Sequence, residues 1–487
     1  MRLLLVFEGL TAALFYSQFH LSHDNSWYLI ATRRFMEGAT LYVDIIELNP
    51  PLAFYLTVPG LFIADFAGLP DKVGYVAYVC ILATISNLWA ISIVRRSAVE
   101  PLRKTVLFAA APIVTLLLPI SEFGQREHLL IIVTLPYFYR SALCQTAPSS
   151  LVERIAIGVF ATLGFALKPY FYAAALTVTL ARTWQDRSLR PLISVTNIVI
   201  AAMTIAYLAF VFVMHREYVD EIVPLATAVY HSYGFPIWKR LAQPAFLAVP
   251  VLLLFIVGKR RQTDQTNWLF IAAAAGFVLS YFLQFKGWNY QILPSAAYLF
   301  ISVAMLSACN AKALRERLVL AVAVMVAVLG TLGQQIIRGP YRSTTLASFE
   351  PFVERRGMSI LVISSNLSAS FPFVNEVEGT WSSRLPAQWI VPGAIAAKAA
   401  SNCSYDRLEC SRYDALLAKA RTIMIEDFVQ FEPQIVFIDE RKSKDYFGGQ
   451  DFNYLDFLAQ DKRFEAIWSR YDELDRGAGY SVWAKGE

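Results

Sequence analysis

Long apolar runs recur along the first two-thirds of the chain. They fall at 3–20, 52–68, 73–94, 104–119, 129–146, 153–167, 169–182, 191–214, 243–258, 267–285, 291–308 and 318–337. Most approach the roughly 20 residues that a helix needs to cross the hydrocarbon core. A helix also satisfies each backbone polar group within its own segment, as lipid requires. The pattern changes after Gly339. Short apolar runs at Ser359–Ile363 and Ile435–Ile438 predict buried strands, and Tyr480–Ala484 predicts a strand that completes their sheet. The amphipathic stretches Tyr413–Phe428 and Tyr454–Arg463 predict helices. The expected architecture is an α-helical polytopic membrane domain over 1–338 and a small α/β domain over 339–487.

Charge refines the count of spans. Basic clusters separate the apolar runs: Arg95, Arg96, Arg103 and Lys104; Arg182, Arg187 and Arg190; Lys259, Arg260 and Arg261; Lys312, Arg315 and Arg317. The positive-inside rule places all four in the cytoplasm. That holds only if 52–68 does not span. Its Pro50–Pro51 entry and its Pro59, Gly60 and Asp65 interruptions fit a re-entrant or interfacial helix. Arg154 and Arg182 share one side only if 153–182 is a pair of helices turning at Lys168–Pro169. About eleven spans result, with a cytoplasmic N-terminus and the C-terminal domain outside. Five polar, aromatic segments then share the outer side: Ser22–Asn49, Ser121–His128, the Lys168 turn, His215–Gln243 and Lys286–Gln291.

Composition agrees with lipid as the surroundings. The 487 residues are 56% hydrophobic and 17% charged, with a mean hydropathy of +0.45; soluble domains carry roughly 25% charged residues. Because basic residues collect in loops, the net charge of +5 does not point to nucleic acid. Cys80, Cys144 and Cys309 lie in apolar segments and read as small core residues. Cys403 and Cys410 lie in a polar region where a disulfide is possible if that region is extracytoplasmic. No metal-ligand spacing is present, so no cofactor is expected. The start, Met1–Arg2 followed by an apolar stretch to Phe19, lacks a clear cleavage site and reads as a retained first helix.

The chemistry-bearing residues lie in the outer segments. The first runs His23-Asp24-Asn25-Ser26-Trp27-Tyr28, continues to Gly38, then reads Tyr42-Val43-Asp44-Ile45-Ile46-Glu47-Leu48-Asn49-Pro50-Pro51. A carboxylate at the rim of an apolar cavity can act as a general base or orient an acceptor; otherwise these charges only keep a loop in water. In the second segment, Glu122, Arg126, Glu127 and His128 crowd the membrane surface, a costly arrangement unless they pair or line an aqueous cavity. An Arg126–Glu127 pair at a helix end is the plain alternative. Lys168 either meets an anion in its tight turn or snorkels to the interface. Lys286, Trp288 and Tyr290 form a fourth group, in which an interfacial aromatic belt explains the Trp and Tyr but not the Lys. The loop 215–243, with His215, His231, Trp238, Lys239 and Arg240, is expected to cover the cavity.

The run from Asp24 through Gly38, Tyr42, Asp44, Pro50, Pro51, Leu52 and Tyr55 resembles the first periplasmic loop of the GT-C glycosyltransferases. The bacterial branch with protein mannosyltransferases and the lipid A aminoarabinose transferase is the part it resembles. The resemblance covers about thirty-five residues and implies that 52–68 is a juxtamembrane helix. It implies a second acidic motif, for which Glu122 or Glu127 is available, with Arg126 and His128 near phosphate. It implies that Lys168 holds the phosphate of a lipid-linked donor, and it matches Lys286, Trp288 and Tyr290 to an aromatic passage that opens a late span. The family often has Asp where these Glu residues stand, and His–Tyr or Tyr–Tyr where Asn289–Tyr290 stands.

The expected function is an inverting transfer of a sugar from a polyprenyl-phosphate donor to a lipid-linked glycan or other envelope acceptor. It would occur on the periplasmic side of the bacterial inner membrane. Asp24 is the expected catalytic residue; Asp44, Glu47, Glu122, Arg126, Glu127, His128, Lys168, Lys286, Trp288 and Tyr290 are expected to bind substrate. Some relatives use a divalent cation, for which no cage is visible here. The alternatives are a transporter or flippase for a lipid-linked or anionic solute, and an O-antigen-type ligase or polymerase. Against transport, the polar residues gather on one side and not at mid-membrane.

Overall fold

The computed structural model describes residues 2–230, 233–242, 265–307, 314–401 and 407–486. They form two compact units. The first comprises Met1–Phe19, Tyr55–Phe210 and Gly234–Tyr341; the second comprises His20–Phe54, Val211–Tyr233 and Arg342–Glu487.

The first unit is helical. Its elements are α1 (Arg2–Tyr16), most of α3 (Leu52–Ala67), α4 (Asp71–Arg96), α5 (Pro101–Pro112), α6 (Arg126–Ala142), α7 (Leu151–Phe165), α8 (Tyr172–Asp186) and most of α9 (Val195–Met214). The α2 helix (His23–Met36) belongs to the second unit, as does α10 (Val223–Val229). The first unit continues with α11 (Gln265–Gln284), α12 (Leu293–Ser307) and α13 (Leu314–Val328). Among the described residues, five helical stretches are long and apolar enough to cross a membrane: Asp71–Arg96, Val195–Met214, Thr266–Gln284, Asn289–Leu306 and Ala321–Arg338. The predicted span 243–258 and the cluster Lys259–Arg261 lie outside the described residues. Segment 153–182 forms two helices, as the charges require. The first ends at Phe165 and a 3₁₀ turn at Pro169–Phe171 starts the second. Segment 52–68 forms the single 16-residue α3 with Pro59 inside it.

Small residues let these helices approach closely, which in lipid replaces the hydrophobic drive of water. A Cβ at Gly276 of α11 would lie 2.5 Å from the Cα of Ala174 in α8. Beside that contact the Thr177 hydroxyl donates to the Ala272 carbonyl at 2.9 Å. Buried polar side chains find partners across helices, such as the Asn87 amide donating to Thr115 at 2.9 Å.

The second unit is built on a five-stranded mixed sheet in the order β2-β1-β3-β5-β4. Its strands are β1 (Ser359–Ile363), β2 (Thr380–Trp381), β3 (Ile435–Asp439), β4 (Tyr471–Gly477) and β5 (Tyr480–Lys485). β1 pairs in parallel with β2 and β3, whereas β5 pairs antiparallel with β3 and β4. Continuous apolar sequence marks β1 and β3, as expected of central strands covered on both faces. The Phe349 ring stacks on Phe437 of β3 at 4.2 Å between centroids, and Phe373 meets the same ring at 5.5 Å. The predicted helix 413–428 is the middle of Arg407–Phe431, and 454–463 divides into Tyr454–Ala459 and Lys462–Trp468. Cys410 is disulfide-bonded; Cys403 lies outside the described residues.

The linear division at 338/339 changes in one respect. The compact units separate at Tyr341/Arg342, but segments 20–54 and 211–233 join the sheet unit. Hydrogen bonds show why. Arg34 donates to the Ser383 carbonyl at 2.7 Å and to the Asp44 carbonyl at 3.0 Å. The Ile46 N–H donates to Arg384 O at 2.8 Å, and the Asn375 amide to Ser26 O at 3.0 Å. Trp27, 1% exposed, packs against Phe371.

Candidate functional site

In the membrane unit the ionisable residues converge at one turn. Lys168 precedes Pro169, which pushes its backbone into the extended region (φ −148°, ψ 137°) and ends α7. Its side chain is buried, and the ammonium donates to Glu127 Oε1 at 2.6 Å and to Gln284 Oε1 at 3.2 Å. The Tyr290 and Phe171 rings lie 5.2 and 5.7 Å away, within range of cation–π attraction. Gln291 Nε2 donates to Gln284 Oε1 at 3.2 Å, while its own Oε1 accepts the Trp288 N–H. Glu127, fully buried in the first turn of α6, profits from the positive end of that helix. Its Oε2 has no hydrogen-bond partner among the described residues.

The plain alternative in the sequence reading was a pair between Glu127 and its neighbour Arg126; the structure pairs Glu127 with Lys168, 41 residues on. Snorkelling is likewise not what Lys168 does. An ammonium taken out of water keeps its charge only beside a counter-charge, and Glu127 supplies one.

His128 is also fully buried, and both ring nitrogens are engaged by backbone. Nδ1 accepts the Gly124 N–H at 2.8 Å, so Nε2 carries the proton and donates to Thr115 O at 2.7 Å. The Tyr75 hydroxyl donates to Gly124 O at 2.6 Å, fixing the same turn, whose φ of +79° suits glycine. His128 therefore shapes the loop before α6. Glu122 lies in that loop and accepts long hydrogen bonds from Ser121 and Gln125, both at 3.4 Å. Arg126, the first residue of α6, is 7% exposed.

Lys286 lies between α11 and α12, where Gly287 (φ +80°) packs against the Arg240 side chain. Burial, helped by the positive charge of Arg240, pushes the Lys286 ammonium down to about 7. The Trp288 and Tyr290 rings are tilted at 37° to each other, with centroids 5.8 Å apart.

In the sheet unit, Asp24 occupies the first turn of α2, behind the Ser22 cap, 3.7 Å from His23 Nε2. Its charge, after burial and Asp445, helps push the Tyr446 hydroxyl up to about 12. Glu47 is 5% exposed; its Oε2 accepts the Trp27 indole N–H at 2.7 Å and its Oε1 accepts the Asn49 N–H at 3.0 Å. Asp44 closes its own turn by accepting the Thr40 N–H at 2.8 Å. Tyr42, at φ +73°, donates to Asn49 O at 2.9 Å. Glu47 and Asp44 thus shape the loop that carries Asp24. His231 lies outside the described residues.

Gln284 and Gln291 are members of the Lys168 cluster that the sequence did not single out. The available signal was two amides flanking Lys286 at the end of an apolar helix. Among the described residues, no group of three or more His, Cys, Asp and Glu side chains is placed to hold a metal ion.

No family model and no curated protein matches this sequence. By structure, the chain is similar to ArnT from Cupriavidus metallidurans, solved with bound undecaprenyl phosphate. That match has a TM-score of 0.52 and 13% identity, and covers 99% of this chain and 97% of the other. It is also similar to the oligosaccharyltransferase AglB from Archaeoglobus fulgidus, solved with an inhibitory peptide and a dolichol-phosphate (TM-score 0.39, 11% identity, 99% of this chain, 74% of the other). ArnT, the lipid A aminoarabinose transferase, and AglB are both GT-C proteins. With its apolar helices and its small mixed sheet, this chain is a multi-pass membrane protein of the GT-C fold.

Proposed function

We propose that this chain is an inverting glycosyltransferase that takes a sugar from a polyprenyl-phosphate donor and passes it to a lipid-linked glycan or other envelope acceptor. The observation that carries this reading is the buried Lys168 ammonium, held by Glu127 and Gln284 at the turn between two membrane helices. The phosphate lipid bound by the ArnT neighbour supports the donor class.

In this scheme the acceptor nucleophile attacks the anomeric carbon from the face opposite the phosphate. The bond between that carbon and the phosphate oxygen breaks, the electron pair leaves with the phosphate, and Asp24 takes the acceptor proton. Lys168, already charged because of Glu127, stabilises the negative charge that grows on the phosphate, an effect strengthened where water is excluded. Arg126 or Lys286 assists it. Asp44 and Glu47 act through the loop, and Glu122, Trp288 and Tyr290 contact substrate. No metal enters the scheme.

Detergent solution separates transfer from transport, because a micelle has no second compartment. The purified chain is given a synthetic polyprenyl-phosphate sugar and a bacterial envelope extract as the source of acceptor. Release of polyprenyl phosphate that depends on the extract, and falls at least tenfold in Lys168→Met, is the expected result. No release by the intact protein across several donor sugars contradicts the proposal.

A further inference from the structure

The opposite end of the same helices carries a second basic cluster. A cavity of about 150 Å³ opens between α6, α7, α8 and α9, lined by Arg140, Arg154 and Arg182 together with Ser141, Thr179 and Asn197. That is at least ten times the ~10–15 Å³ that a cavity needs to hold one water. Arg140 lies 13 residues beyond Glu127 on α6, and a rise of 1.5 Å per residue puts it about 20 Å from the Lys168 cluster. Arg154 stands in the first turn of α7, and Arg182 in the last two turns of α8.

Three features distinguish this cluster from charges that merely set topology. Arg140 Nε and Nη1 are buried and have no hydrogen-bond partner among the described residues. A buried charged donor without an acceptor is costly, so a site that keeps one calls for a ligand. Arg140 is also repelled by Arg182 and Arg154, against which it has the attraction of Glu153. Lastly, the neighbouring carboxylates are already engaged. Glu153 accepts from the Arg96 guanidinium and from Trp89. Asp186 accepts from Gln145 at 2.7 Å and reaches Arg182 only at 3.8 Å. The polar wall is fixed in advance, because Asn197 Nδ2 donates to Thr179 Oγ1 at 3.1 Å and to Pro191 O at 2.8 Å.

We propose that Arg140, Arg154 and Arg182 form a second anion site in the membrane unit, which binds a phosphate group. Planar guanidinium forks match phosphate oxygens two at a time, and three of them converge here on one cavity. The group belongs either to a lipid headgroup that enters between the helices or to a soluble phosphate ester. The site is independent of the sugar-transfer scheme.

The test uses the full chain with two probes. Inorganic pyrophosphate is titrated against the melting temperature in neutral detergent. Retention of phosphatidylglycerol against phosphatidylcholine is measured by native mass spectrometry after release from nanodiscs. Stabilisation by pyrophosphate identifies a soluble source, and selective retention of phosphatidylglycerol identifies a lipid source. In either case Arg140→Gln and Arg182→Gln are expected to weaken binding at least tenfold. Arg154→Gln, nearer the helix start, gives the same answer if Arg140→Gln does not fold. The proposal is overturned if neither probe binds, if the arginine variants keep wild-type affinity, or if only Lys168→Met removes binding.

Discussion

A lysine held out of water at the edge of a membrane sets the terms at the residue scale. Removing Lys168 alone leaves Glu127 charged and buried, a loss of about 3–5 kcal/mol for a pair of this kind. Lys168→Met is therefore expected to melt well below wild type, and adding Glu127→Gln to recover much of that loss. A double variant no more stable than Lys168→Met would show that the pair is not coupled. Lys286 predicts a pH effect of definite sign. Its folded-state value of about 7 lies below its ordinary 10.5, so between those values the unfolded chain binds the extra proton. Stability should rise with pH across that window and be level below it, and Lys286→Met should flatten the rise in melting temperature. Glu47 is expected to behave as a hydrogen-bond acceptor: Glu47→Ala, which strands the Trp27 indole N–H, costs about 1–3 kcal/mol. Glu47→Gln keeps an acceptor and should lose less. Lys168 was legible in the sequence because a cation between two apolar runs and a proline is conspicuous. Its partner was not, because a pairing across 41 residues leaves no local pattern, and Gln284 and Gln291 carry no charge to draw notice.

At the scale of elements, what buries its side chains in a regular pattern was readable. β1, β3 and β5 fall where short apolar runs place them, and the α7–α8 turn falls where two arginines had to share a side. β4 (Tyr-Asp-Glu-Leu-Asp-Arg-Gly) was missed. As an exposed edge strand its charges discourage pairing with other chains, and they also erase the alternation that would mark it. Contact between helices depends on where glycines stand. Gly276→Ala is expected to force α11 from α8 and to cost about 1–3 kcal/mol, read as a lower melting temperature of the purified protein. An unchanged melting temperature would mean that the helices separate without penalty.

For the whole molecule, the sequence divides the chain at one point, whereas the structure gathers three stretches into the sheet unit. Nothing in residues 20–54 announces that Arg34 and Ile46 bond to the backbone near Ser383, since backbone acceptors have no sequence signature. The charge pattern makes a topological prediction that cysteine labelling checks. Val43 and Glu100 are exposed, so Val43→Cys should react with an impermeant reagent from outside and Glu100→Cys only after the membrane is opened. Labelling of Glu100→Cys from outside would mean that α3 spans and that the assignment of loops to sides is wrong. The central claim is that the loop carrying Asp24 performs sugar transfer. Its most direct test is Asp24→Asn, assayed for transfer from a synthetic polyprenyl-phosphate donor beside wild type. With folding and membrane insertion unchanged, a fall in rate of at least a hundredfold, consistent with loss of a general base, is the result predicted. Full activity in that variant would contradict the account.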